Sequence, residues 1–156
     1  MKNVIRNTFI CTLFAAFLAF CPAYSAPAST AAPLNAAPLS VVAAPQKYLN
    51  KTIVMKATFD KFSTLGLDYK KALRSSADYI GFLIQRDDVV DHNVPLSEMK
   101  LFIKRDYAEK FIELDTGDKI EITGKVFSNA LGDPWVDVSK ITIIQKKPNP
   151  EKDKNK

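Results

Sequence analysis

Residues 106–144 run DYAEKFIELDTGDKIEITGKVFSNALGDPWVDVSKITII, and this stretch constrains the fold more than any other. It opens with helix chemistry. Asp106 can cap a helix with its carboxylate, and Glu109 three residues on completes a capping box. Tyr107, Phe111 and Leu114 fall at i, i+4 and i+7, a stripe that faces a core. Thr116-Gly117 ends the helix, since glycine accepts the left-handed backbone that helix stops often use. From residue 119 the period changes to alternation. Ile120, Ile122, Gly124 and Val126 share one face of a strand, with Gly124 marking a bend or bulge. After a Gly-Asp-Pro corner, Val136 and Val138 keep one phase while Ile141 and Ile143 keep the other. That shift requires an extra residue near Ser139 and Lys140, a β-bulge.

Upstream, residues 52–62 alternate, with Ile53, Met55, Ala57 and Phe59 inward and Lys56, Thr58 and Asp60 outward. Residues 63–78 are irregular, although Tyr69, Ala72 and Leu73 can share one helical turn. Residues 79–85 form a strand with Ile80, Phe82 and Ile84 inward. Residues 86–97 are a polar excursion. In residues 99–104, Met99, Leu101 and Ile103 point inward and Lys100, Phe102 and Lys104 outward.

Three strands, a helix and two strands make an order that resembles the OB-fold. Residues 117–144 are also similar to the closing strand pair of BOF, a family of exported bacterial OB-fold proteins. There a GDKV.I.GKV pattern precedes a V-D-V-x-x-I run, here Val136, Asp137, Val138 and Ile141. The resemblance covers about a quarter of the chain, and the 63–78 insertion departs from the compact family pattern. It implies a mainly β, five-stranded Greek-key barrel with one helix between strands 3 and 4, and an address outside the cytoplasm.

The N-terminus carries that address independently. Lys2 and Arg6 precede an apolar run over residues 8–20, Pro22 breaks it, and Ala23 and Ser25 supply small residues for cleavage after Ser25. Residues 1–25 are therefore expected to be a signal peptide, with a periplasmic or secreted product. An uncleaved or lipidated leader would be the chain's only link to a membrane. Both cysteines, Cys11 and Cys21, lie in the leader, so the mature chain has no disulfide. Residues 26–45 are Ala/Pro-rich, and their four prolines predict an extended tether. Residues 46–145 are the expected domain, and the Lys-rich residues 146–156 an expected disordered tail. The formal charge of +5 belongs to the ends: residues 26–145 hold 15 basic and 15 acidic side chains. A neutral domain disfavours nucleic acid, whose non-specific affinity comes from phosphate neutralisation.

OB barrels bind oligomers on the outer face of their second and third strands. Here that face would carry Tyr79, Leu83, Gln85, Lys100, Phe102 and Lys104, with Trp135 on the flanking corner. Aromatics interleaved with lysines suit a base or sugar ring beside an anionic group. In the alternative arrangement the insertion buries Phe102 and Leu83 and leaves the lysines solvated, while Trp135 packs over a barrel end. Asp87, Asp88, Asp91 and His92 have metal-ligand chemistry but lack the alternation and turn glycine of a calcium loop. With one histidine, no mature cysteine and no nucleophile or phosphate-loop motif, the chain offers no catalytic constellation. No cofactor and no metal is expected. The expected function is a non-enzymatic module recognising an extracytoplasmic polymer or protein, or else an assembly subunit using the barrel for protein contacts, with single-stranded nucleic-acid binding ranked below both.

Overall fold

A computed structural model describes residues 32–148. The expected leader, its cleavage point near Ser25 and residues 149–156 lie outside the described residues. Five strands close a barrel: β2 (Thr52–Ser63), β3 (Tyr79–Ile84), β4 (Lys100–Lys104), β5 (Lys119–Ser128) and β6 (Trp135–Gln145). A two-residue strand, β1 (Leu34–Asn35), adds to β2 in parallel. Around the barrel the order is β2-β3-β4-β6-β5, with β2–β5 pairing as the closure. The β4–β6 contact is parallel and the other barrel pairings are antiparallel. With the helix α3 (Arg105–Ala108) between β4 and β5, this is the OB-fold.

Alternation builds the interior as the sequence predicts. Ile53, Met55, Phe59, Phe82, Ile84, Leu101, Ile103, Ile120, Ile122 and Val136 are buried in one cluster. Burying each such side chain contributes about 1.5–3 kcal/mol relative to exposure. The expected bulge is present: Thr123 pairs with Lys140 and Gly124 with Val138, leaving Ser139 as the extra residue. At Gly124 a Cβ would lie 2.7 Å from both the Asp137 carbonyl oxygen and Val136 Cγ1, so the strands approach too closely for a side chain.

Three expectations change. The α3 helix begins at Arg105 with Lys104 as its N-cap residue, and no side chain caps it. Asp106 therefore lies inside the first turn, because the chain turns directly out of β4 and the Arg105 N–H donates to the Asp78 carbonyl at 2.9 Å. The core stripe survives the shift: Tyr107 and Phe111 pack against the core and Leu114 is buried.

The tether reading also fails for residues 32–45. Pro38 and Pro45 open short helices, α1 (Pro38–Ala43) and α2 (Pro45–Tyr48), at the position where a missing N–H costs nothing. Val41 is fully buried in the barrel cluster.

The start of the tail is fixed as well. Asp118 is buried, and its carboxylate accepts N–H bonds from Asp115 at 3.0 Å and Lys147 at 2.8 Å. The Lys146 ammonium sits 2.9 Å from it. Burial pushes this carboxyl up, but the two N–H donors and Lys146 outweigh burial and hold it below the usual carboxylate range. A depressed value stabilises the fold above the unfolded pKa, about 3.9, and that contribution is lost as acid protonates the group. Asp118→Asn leaves a buried donor facing a donor, and should cost about 1–3 kcal/mol at pH 7. Its urea midpoint should also fall less steeply than that of the unaltered chain between pH 6 and pH 3, roughly the range of carboxylate titration.

Candidate functional site

The face expected to bind ligand is occupied by the chain itself. Trp135 stacks with two rings, Tyr69 at 5.3 Å between centroids and Phe102 at 5.7 Å. Phe127 joins Phe102 at 6.3 Å. Phe102 and Trp135 are 0% and 1% exposed, and Leu83 is buried too. Residues 64–78 form the lid of this second, smaller core. Gly66 lets the lid sit down: a Cβ there would be 3.2 Å from Phe102 Cζ and Trp135 Cζ3, on a backbone with φ +85. Ala72, in a 3-10 turn (Lys70–Ala72), is buried beside the stack. The Trp135 indole N–H donates to the Ala130 carbonyl at 2.8 Å, closing the corner beneath it.

Arg74 fastens the lid. Its guanidinium donates from two nitrogens to the two Asp137 oxygens, Nε at 2.6 Å, and its centre lies 3.8 Å from the Phe127 ring centroid. Paired with the carboxylate, Arg74 is held above its usual range, the hydrogen bonds to Asp137 outweighing partial burial.

The expected ligand residues thus separate. Phe102 and Trp135 are core. Lys100 is half-buried, with its ammonium 2.9 Å from Asp133 and donating to the Ser97 carbonyl. Gln85 lies just beyond β3, bridged to Pro95, and its side-chain nitrogen is buried without a hydrogen-bond partner among the described residues. Tyr79 and Lys104 stay together as directly opposed residues of β3 and β4. They line a cleft of ≈ 290 Å³ with Tyr107, Asp137, Val138 and Ser139. Sequence reasoning did not bring Tyr107 and Ser139 into this site, although the core stripe and the bulge had marked both.

This cleft sits at the seam where β4 and β6 part. β4 pairs β6 only through Trp135–Asp137, whereas β5 pairs β6 along its length. Among the described residues, one edge of β6 from Val138 to Gln145 therefore has no partner strand. A larger cleft, ≈ 650 Å³, lies between β1 and the outer face of β2 and β5, lined by Lys56, Asp87, Glu121 and small residues, without an aromatic. In the polar loop Arg86 pairs with Asp88 at 3.0 Å and Glu98 at 2.5 Å. Among the described residues no three His, Cys, Asp or Glu side chains converge on a metal site.

The strand order and pairing make this an OB-fold barrel whose customary face is sealed. No protein-family model and no curated protein sequence matches the chain. Among solved structures it is similar to a protein described as an aspartyl-tRNA synthetase from Leishmania major Friedlin. That likeness has 12% identity and a TM-score of 0.48, over 78% of this chain and 23% of the other. It is similar to a mitochondrial single-stranded DNA binding protein from S. cerevisiae at 10% identity and a TM-score of 0.42, over 62% and 96%. The asparaginyl-tRNA synthetase from Pyrococcus horikoshii is similar at 18% identity and a TM-score of 0.42, over 70% and 23%. The chain spans about a quarter of the length of either synthetase.

Because Phe102 is core, Phe102→Ala is expected to cost about 3–5 kcal/mol in urea unfolding. Lys104→Ala, at an exposed position, should stay within about 0.5 kcal/mol of the unaltered chain.

Proposed function

We propose that this chain is a non-catalytic OB-fold interaction module that takes an extended protein segment along the open edge of β6. One observation carries the reading: the aromatic platform of the barrel is filled by residues 64–78, while the edge beyond Asp137 has no partner strand among the described residues. An unpaired row of backbone N–H and C=O groups is a template for a further strand. Ile143 and Ile144, 39% and 51% exposed, put apolar side chains on the same stretch.

Two further features support a protein ligand over a nucleic acid. Bases need an open ring to stack on, and Trp135 is already stacked with Tyr69 and Phe102 and is 1% exposed. The balanced charge of residues 26–145 offers little phosphate neutralisation. The positive start, apolar run and small residues at Ala23 and Ser25 support export, and the likeness of residues 117–144 to the BOF closing strands agrees with it.

Fluorescence anisotropy with labelled heptapeptides of alternating Thr and Val tests the reading. Saturable binding is expected, and N-methylation of alternate peptide amides should abolish it. A labelled oligo-dT should remain unbound at about 50 mM salt. Oligo-dT binding that survives removal of residues 149–156 would replace this reading with a nucleic-acid one.

A further inference from the structure

The open edge of β6 fixes where a partner strand lies, and the seam cleft bears on what that strand carries. Val138 and Ser139, which line the cleft, are also the first two β6 residues after its pairing with β4 ends. A strand added about 4.8 Å from β6 runs over the mouth of the cleft. Two charged groups of opposite sign line it, and only one is compensated. The Asp137 carboxylate is engaged at both oxygens by Arg74. Lys104 is exposed and makes no ion pair among the described residues. A second cation stands at the margin, the Lys110 ammonium 5.3 Å from the Tyr107 ring centroid. Half-buried Tyr79 and Tyr107 supply flat walls, and their hydroxyls can donate. A cleft with apolar walls, hydroxyl donors and one uncompensated lysine is complementary to a carboxylate.

We infer that the segment recognised by this chain carries an acidic side chain that enters the seam cleft, its carboxylate meeting Lys104 between Tyr79 and Tyr107. The inference rests on the strand-addition reading above. The shared chemistry of an acidic side chain and a peptide C-terminus is the carboxylate, and the experiment separates the two.

The probes are fluorescein-labelled Thr-Val-Thr-Glu-Thr-Val-Thr and its Gln twin, both with blocked ends, measured by anisotropy on the full chain. The Glu peptide should bind about tenfold tighter, the value of one charge-assisted hydrogen bond. Lys104→Met should remove that advantage and leave the Gln peptide unaffected, whereas Lys56→Met, on another face, should change neither. High salt should shrink the advantage, because an exposed pair is screened. A Gln peptide with an unblocked C-terminus should gain less than the Glu peptide; an equal or larger gain would make the end carboxylate the ligand and overturn the side-chain assignment. Equal Glu and Gln affinities that remain sensitive to N-methylation would overturn the acidic ligand and leave strand addition standing. A Glu advantage that persists in Lys104→Met would also overturn it. Failure of every peptide to bind would remove both readings.

Discussion

Three parallel residue pairs join β4 to β6: Lys100 with Trp135, Leu101 with Val136 and Phe102 with Asp137. They complete the barrel wall between β3 and β5. They set Phe102 beside Trp135, and so create the surface on which residues 64–78 settle. They bring Asp137 to the position where Arg74 reaches it. Their early end matters as much as their presence. β4 leaves the sheet at Lys104 because Arg105 is held by backbone of the lid, its N–H by Asp78 and its Nε by Ser76. β6 continues alone on that side, and the seam cleft and open edge follow from this mismatch in strand length.

The barrel was legible in the sequence because alternation is a direct record of which face meets a core. Ile120 and Ile122, the phase slip at Ser139 and the inward set Leu101 and Ile103 all stand where period-2 reasoning puts them. What alternation does not record is whether the outer face meets water or a second layer. Phe102 points out of the barrel as expected and is nevertheless fully buried, since Gly66, Tyr69 and Ala72 come from a segment with no period of its own. The prolines at 38 and 45 misled for a related reason: proline forbids a helix interior yet favours a helix start, and composition alone does not distinguish the positions. Asp118 gave little local signal, because only its Asp115 partner is near in sequence, while Lys146 and Lys147 meet it only when β6 completes the sheet.

Outside the buried Asp118 network, the ion pairs of this domain select rather than stabilise. Pairs such as Arg86 with Asp88 and Glu98 are partly exposed, and such pairs contribute little to folding. Their effect is to remove charges from play. Asp133 takes up Lys100 and Asp137 takes up Arg74, so that of the cations near the old binding face Lys104 keeps an unspent charge among the described residues. A domain of balanced charge can therefore still present a local sign.

The lid over Trp135 also orders events in time. Its platform does not exist until residues 100–102 and 135–137, distant in sequence, have met, so the lid cannot seat before the barrel wall is complete. The same dependence runs in reverse. Loss of the contacts of residues 64–78 breaks no pairing between β2 and β5, so amide exchange is expected to be faster in the lid than in that ladder.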